Sequence, residues 1–382
     1  MGGGHELHDH RGRHARDPGG PRGGLRAPAR PAPEVRARPA ARGGGTAAAV
    51  LAALVGLGPG GVLAQERGPV VTSLTLFAGT RTGLWRSSDW GGKWERVSGG
   101  TDNGALPETG AVHAVLAVMR RVYVAADGGL FLSEDFGQTW KRLATEGETR
   151  VTGPVHCVMP SRYPQADPTV FAGTASGLLK SVDGGNTFAP TVLRGTDVTR
   201  LEWPGPALVA ATGHGVLVSN DGGSTFSAGT GLPDGPPQAL AVSSFFARDP
   251  VLFSAVGRAG VFRSGDGART WDPTGLEGKS VRDLVWLGPI LYAATDEGLF
   301  RSDDAGRTWT LGSGLAARPA LRLIFPLAPD SGLEAFLATE SGIVHTPDGG
   351  AHWKPAGVLE NPVLCLATFP APGREPMRKR GH

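Results

Sequence analysis

The sequence predicts an all-β fold, a seven-bladed β-propeller with four-stranded antiparallel blades. An eight-residue box of the form S/T-x-D-x-G-x-x-aromatic recurs seven times, its aspartates 46, 48, 38, 45, 38 and 44 residues apart. Propeller blades repeat at about 40 to 50 residues. After the first unit, three short apolar runs lead into each box; with the strand after the box, each unit supplies four strands. The first unit lacks its leading run, and PVLCLATFP at 362–370 matches that missing pattern with no further unit behind it. The C-terminal strand is therefore expected to be the innermost strand of blade 1, closing the ring without an open blade at the seam. The composition agrees: 60 Gly, 31 Pro and 19% charged residues favour short strands and tight turns over long helices.

In chain order, residues 1–45 are rich in Arg, Gly and Pro and are expected to be disordered, or to precede a true start near Val35. His5, His8, His10 and His14 suggest a metal-binding tail only by composition, and no metal is expected. Residues 46–58, TAAAVLAALVGLG, form an apolar run of 13 residues, shorter than the about 20 needed to span a bilayer. Arg36, Arg38 and Arg42 precede it, and small residues to Val62 and Ala64 follow. This is the pattern of a secretory signal peptide cut after Ala64. Residues 46–64 are read as that region and 65–382 as the propeller. The expectation is export, to the periplasm or outside, with no membrane span after cleavage. No Cys follows the cut to carry a lipid.

The net charge of +3 resides in the leader. Residues 1–64 hold nine Arg and four acids, so of 38 basic and 35 acidic residues, 29 and 31 remain. A near-neutral propeller has no global basic field, and no nucleic acid is expected as partner.

Each unit repeats one plan. In the second, VHAVLAV (112–118), VYVAAD (122–127) and GLF (129–131) precede SEDFGQTW (133–140). The aspartates are Asp89, Asp135, Asp183, Asp221, Asp266, Asp304 and Asp348. The Asp suits a turn in which a carboxylate accepts from nearby N–H groups and the Thr hydroxyl. The Gly at position five suits a left-handed backbone, and the aromatic buries area against a neighbouring blade. A catalytic centre is one place, whereas these groups recur around the rim, so they are read as structural. The departures (Ala268 for Gly, Lys93 and His352 for Thr, Phe188 and Phe226 for Trp) fit a turn that tolerates variation.

These boxes resemble the Asp boxes, or BNR repeats, of bacterial sialidases and sortilin-type propellers. Over residues 74–370 the layout looks most like the photosystem II assembly factor type of seven-bladed propeller and its bacterial relatives. The resemblance implies the fold, and unrelated activities share that scaffold. The sialidase pattern of three arginines, a Tyr–Glu pair and an acid is not met, and no Arg-Ile-Pro-like motif occurs. Tyr123 and Tyr292 occupy the repeat position of Phe77, Phe171 and Phe253 and read as blade core; Tyr163 lies on a loop without an evident Glu. Other glycosidases need two carboxylates at one unrepeated place. The unrepeated acids are Glu108, Glu146, Glu148, Asp197, Glu202, Asp234 and Asp283, and nothing in the sequence pairs them. Gly278-Lys279-Ser280 lacks the rest of a phosphate loop. Cys157 and Cys365 fall on inner strands of non-adjacent blades, too far apart for a disulfide, and are expected to be buried thiols. No cluster has metal-ligand spacing, and no cofactor is expected.

The loops between outer and inner strands are long and individual, so binding is expected there. They and the adjacent strand starts carry Arg150, Arg194, Arg200, Lys279, Arg282, Arg318 and Arg322. The expected site is a basic patch at the channel mouth formed by Arg150, Arg194, Arg200, Arg282, Arg318 and Arg322. The assembly-factor resemblance, which carries an arginine patch, points the same way. The reading is an exported, monomeric, non-enzymatic scaffold for a protein or anionic polymer. The alternative is a glycan-active hydrolase or a glycan-binding propeller.

Overall fold

The computed structural model describes residues 74–370 except 98–105, 107–109, 119, 146–150, 152, 162–165, 244, 288, 313–314, 316–317, 327–333, 358 and 360. The predicted signal region, the His-bearing start and Arg150 lie outside the described residues. No helix among the described residues is long and apolar enough to cross a membrane.

Seven sheets form the ring, each holding the four antiparallel strands of one blade. Blade 4 is typical, with Val198–Glu202, Leu208–Thr212, Gly215–Ser219 and Ser227–Ala228 from inside to outside. Blade 1 takes its inner strand from the C-terminus: Val363–Pro370 pairs antiparallel with Leu74–Thr80. Each inner strand contacts that of the next blade, and Ala320–Ile324 of blade 7 contacts Val363–Pro370, closing the circle. In blade 3 the sheet gains a short outermost strand, Ala144–Thr145, paired in parallel with Thr187–Phe188.

A blade in a closed ring has a neighbour on both faces. Its second strand is therefore apolar throughout rather than alternating, as in any sheet covered on both sides. Val170–Thr174, Leu208–Thr212 and Leu252–Val256 are buried at every position. The cores lie between blades: one cluster joins Phe77 and Leu84 of blade 1 to Val122, Val124 and Phe131 of blade 2. Tyr123 and Tyr292 are buried there too. Each hydroxyl donates to a box glycine carbonyl of the next blade, Gly184 and Gly349, both at 3.3 Å.

The boxes are the turns between third and outer strands. In blade 2, Asp135 Oδ1 accepts from the Ser133 hydroxyl at 2.7 Å and from the amides of Gln138 and Thr139 at 3.0 and 2.8 Å. Its Oδ2 accepts from the Thr139 hydroxyl at 2.6 Å. The Ser133 oxygen in turn accepts from the Gly137 amide at 2.7 Å. The pattern repeats around the ring; in blade 7 the His352 imidazole replaces the Thr hydroxyl, 2.7 Å from Asp348 Oδ2. The box tryptophans tie blades together: Trp94 Nε1 donates to the Ala356 carbonyl of blade 7 and Trp309 Nε1 to the Thr274 carbonyl of blade 5, both at 3.1 Å.

At the opposite end of every blade, the inner strand begins with a bulge. In blade 4 Val198 pairs with Thr212 and Arg200 with Ala211, so Thr199 is left over. The same register shift skips His113, His156, Gln238, Arg282, Leu321 and Leu364 in the other six blades. A bulge leaves its extra residue out of the ladder and re-aims its side chain.

Candidate functional site

Seven bulges at one level of a ring place seven unpaired residues around the channel mouth. They line a cavity of about 920 Å³, within the range of roughly 300 to 1,000 Å³ typical of ligand sites. From blade 2 to blade 1 the bulge residues run His113, His156, Thr199, Gln238, Arg282, Leu321 and Leu364. The turns between second and third strands lie at the same end and add Arg81 and Glu340 to the wall.

Three of the predicted arginines converge here. Arg200 follows the bulge of blade 4, and its guanidinium reaches across the neighbouring blades. Its Nε donates to the Gln238 carbonyl at 3.0 Å and its Nη2 to the Arg282 carbonyl at 3.3 Å. Arg322, from blade 7, donates through Nη1 to the same Arg282 carbonyl and to that of Leu321. Both guanidiniums are thus held by main-chain oxygens, which fix their position without cancelling their charge. Burial, with Arg200 close by, pulls the Arg322 pKa down to about 10, so it stays protonated at neutral pH. The Arg282 side chain stands at the mouth, 3.9 Å from Glu340 and 39% exposed. Arg194 ends the outer strand of blade 3 opposite Gly177, and Arg318 is exposed on the loop before blade 7. The structure does not bring either into the mouth.

Two acids sit beside the arginines. Asp283 Oδ2 accepts from the Leu323 amide at 3.0 Å. Burial pushes the Glu202 carboxyl up to about 7; the positive charge of Arg200 opposes the rise and the negative charge of Asp283 adds to it. Of the other unrepeated acids, Asp197 lines the mouth, Asp234 is exposed on a loop, and Glu108, Glu146 and Glu148 lie outside the described residues.

The sector made by blades 2 to 4 differs. His113 Nε2 lies 2.7 Å from Asp127 Oδ1, and His156 Nε2 lies 3.2 Å from Asp197 Oδ1. The two rings meet edge to face with centroids 5.4 Å apart. Burial lowers the His156 pKa, against the pull of Asp197. Sequence reading missed these histidines because strict alternation mis-registers a strand at a bulge. Among the described residues no group of three His, Cys, Asp or Glu side chains is placed to hold a metal. Cys157 and Cys365 are free thiols pushed up to about 12 by burial, which leaves them unreactive at neutral pH.

Residues 84–97 match the BNR-Asp box repeat family. No curated protein matches the chain in sequence. Solved structures share the fold. An ancestral GH74 enzyme superposes with a TM-score of 0.55 at 18% identity, over 68% of this chain and 40% of that one. YCF48 from Cyanidioschyzon merolae superposes with a TM-score of 0.52 at 15% identity, over 70% and 89%. The computationally designed Ika8 protein gives 0.54 at 12% identity, over 76% and 86%. This chain therefore spans well under half of the GH74 enzyme. A GH74 enzyme, YCF48 and a designed protein share this architecture, so the fold leaves the activity open.

Proposed function

We propose that this chain, an Asp-box repeat β-propeller, is an exported non-enzymatic scaffold that captures an anionic segment of a protein or other polymer at its channel mouth. The observation that carries this reading is the convergence of Arg200 and Arg322 on the Arg282 carbonyl. The Arg322 charge, recessed in the wall beside Arg200 and compensated only in part by Asp283, carries a desolvation cost that a bound anion offsets. The third, Arg282, stands free enough at the rim to meet that anion. Charge-assisted hydrogen bonds from arginine to carboxylate or phosphate are the strong kind.

Arg282 gives the cleanest test, since its ion pair among the described residues is a long one, 3.9 Å to Glu340. In a fluorescence titration with an oligo-glutamate peptide, Arg282→Ala is expected to weaken binding about tenfold, which is about 1.4 kcal/mol. Arg282→Glu is expected to abolish it, with melting unchanged in both. Equal binding by the parent and both variants overturns the reading.

A second reading, glycoside hydrolysis, draws on Glu202. A carboxyl raised to about 7 beside the Asp283 charge is how an enzyme separates an acid from a base. Hydrolysis of a glycan panel that Glu202→Gln abolishes would favour it over the scaffold.

A further inference from the structure

The mouth is bipolar. Arg282 and Arg322 come from blades 6 and 7 and Arg81 from blade 1. Arg200 starts on blade 4, but its hydrogen bonds draw its guanidinium towards blades 5 and 6. The positive charge thus gathers on one arc, where four arginines outnumber the two acids beside them, Glu340 and Asp283. On the opposite arc, blades 2 to 4, Asp197 lines the mouth and is capped by His156, and Asp127 lies beside it in contact with the lining residue His113. With the imidazoles neutral, that arc carries negative charge.

Resting on the anionic-segment reading above, we infer that the natural partner presents a peptide in which an acidic stretch lies next to a basic one, the acids seated on the arginine arc and a lysine or arginine on the Asp127–Asp197 arc. Charge complementarity across an interface fixes register and rejects partners of the wrong polarity. A uniformly acidic peptide satisfies one arc and is repelled by the other.

The groups facing the imidazoles are Asp127 on the turn of blade 2, Asp197 at the head of blade 4, and each other. Each imidazole fixes one carboxylate, and burial lowers the His156 pKa, which favours its neutral ring and leaves the Asp197 charge uncancelled.

The test compares two labelled peptides of equal length, one of glutamates with neutral flanks and one of glutamates followed by a short spacer and lysines, in fluorescence anisotropy with the whole exported chain. At about pH 7.5 the mixed peptide is expected to bind at least about fivefold tighter, a difference of roughly 1 kcal/mol. In Asp127→Asn/Asp197→Asn the two peptides are expected to bind alike, because the carboxylates that seat the lysines are gone. If the parent chain binds both equally at about pH 7.5 while Arg282→Ala still weakens both, the bipolar inference falls and the anionic-segment reading stands. If neither peptide binds and Arg282→Ala changes nothing, both fall together. A double Asn variant that keeps the preference for the mixed peptide also overturns the inference.

Discussion

Asp135 fills both carboxylate oxygens with four hydrogen bonds inside a single turn. Asp135→Ala leaves the Gln138 and Thr139 amides without their acceptor, at a cost of about 1–2 kcal/mol. Anion binding should be unchanged in the folded fraction, because the box lies at the end of the blade opposite the mouth. A thermal melt and a titration on the same sample check both halves. All seven box carboxylates are held below their ordinary value. In Asp266 and Asp304 they fall to about 2, chiefly through the amides of Thr270 and Thr308 and then those residues' hydroxyls. A carboxylate with a depressed folded pKa stabilises above its unfolded value and loses that contribution as pH falls towards the folded one. Melting temperature is therefore expected to hold above about pH 5 and to fall steeply from about pH 4 to pH 2; a flat profile would contradict the account. The box was legible because its chemistry repeats in eight residues. Its fourth position was not. Trp90 and Phe136 there have φ of 63° and 62°, a backbone that costs a side chain roughly 1–2 kcal/mol. Packing against the preceding blade offsets this strain: Trp90 stacks on Phe336, and Phe136 packs against the cluster holding Phe77.

The strand pattern of apolar runs gave the blades in sequence order, but the inner strand hid its bulge. One extra residue inverts which side chains face the channel. Arg200, Arg282 and Arg322 were legible as candidates because they begin inner strands, whereas His113 and His156 read as ordinary strand positions. Arg194 and Arg318 share the loop chemistry of the candidates but belong to an outer strand and an exposed loop. The residue after each bulge also sets how close the next blade comes. In blade 3 it is Cys157 opposite Gly173, where an added Cβ would lie 2.5 Å from Cys157 Sγ and 2.6 Å from the Val198 carbonyl. Blades 2 and 5 place Ala114 opposite Ala125 and Ala239 opposite Ala255. Gly173→Ala is expected to cost about 1–3 kcal/mol by overpacking. Adding Cys157→Ala should recover only part of this, because the Val198 carbonyl belongs to the adjacent inner strand and cannot rotate away. Full recovery in a denaturant titration would mean that the sulfur alone sets the spacing.

At the scale of the whole molecule, closure by Val363–Pro370 joins the two ends of the described chain in blade 1. It also holds the seven inner strands in the circle that makes a mouth at all. Closure was legible because a leading run was missing at one end of the repeats and present at the other. The cavity's charge layout was not, since it depends on guanidiniums crossing from one blade to the carbonyls of others. The central claim is that binding takes place at this mouth. Hydrogen–deuterium exchange of the chain, with and without a saturating acidic peptide, tests it most directly. The account predicts slowed exchange in Val198–Glu202, Val281–Leu287 and Ala320–Ile324, with the box turns unchanged. Protection confined to the Asp-box turns or the outer strands, with none at these inner strands, would contradict it.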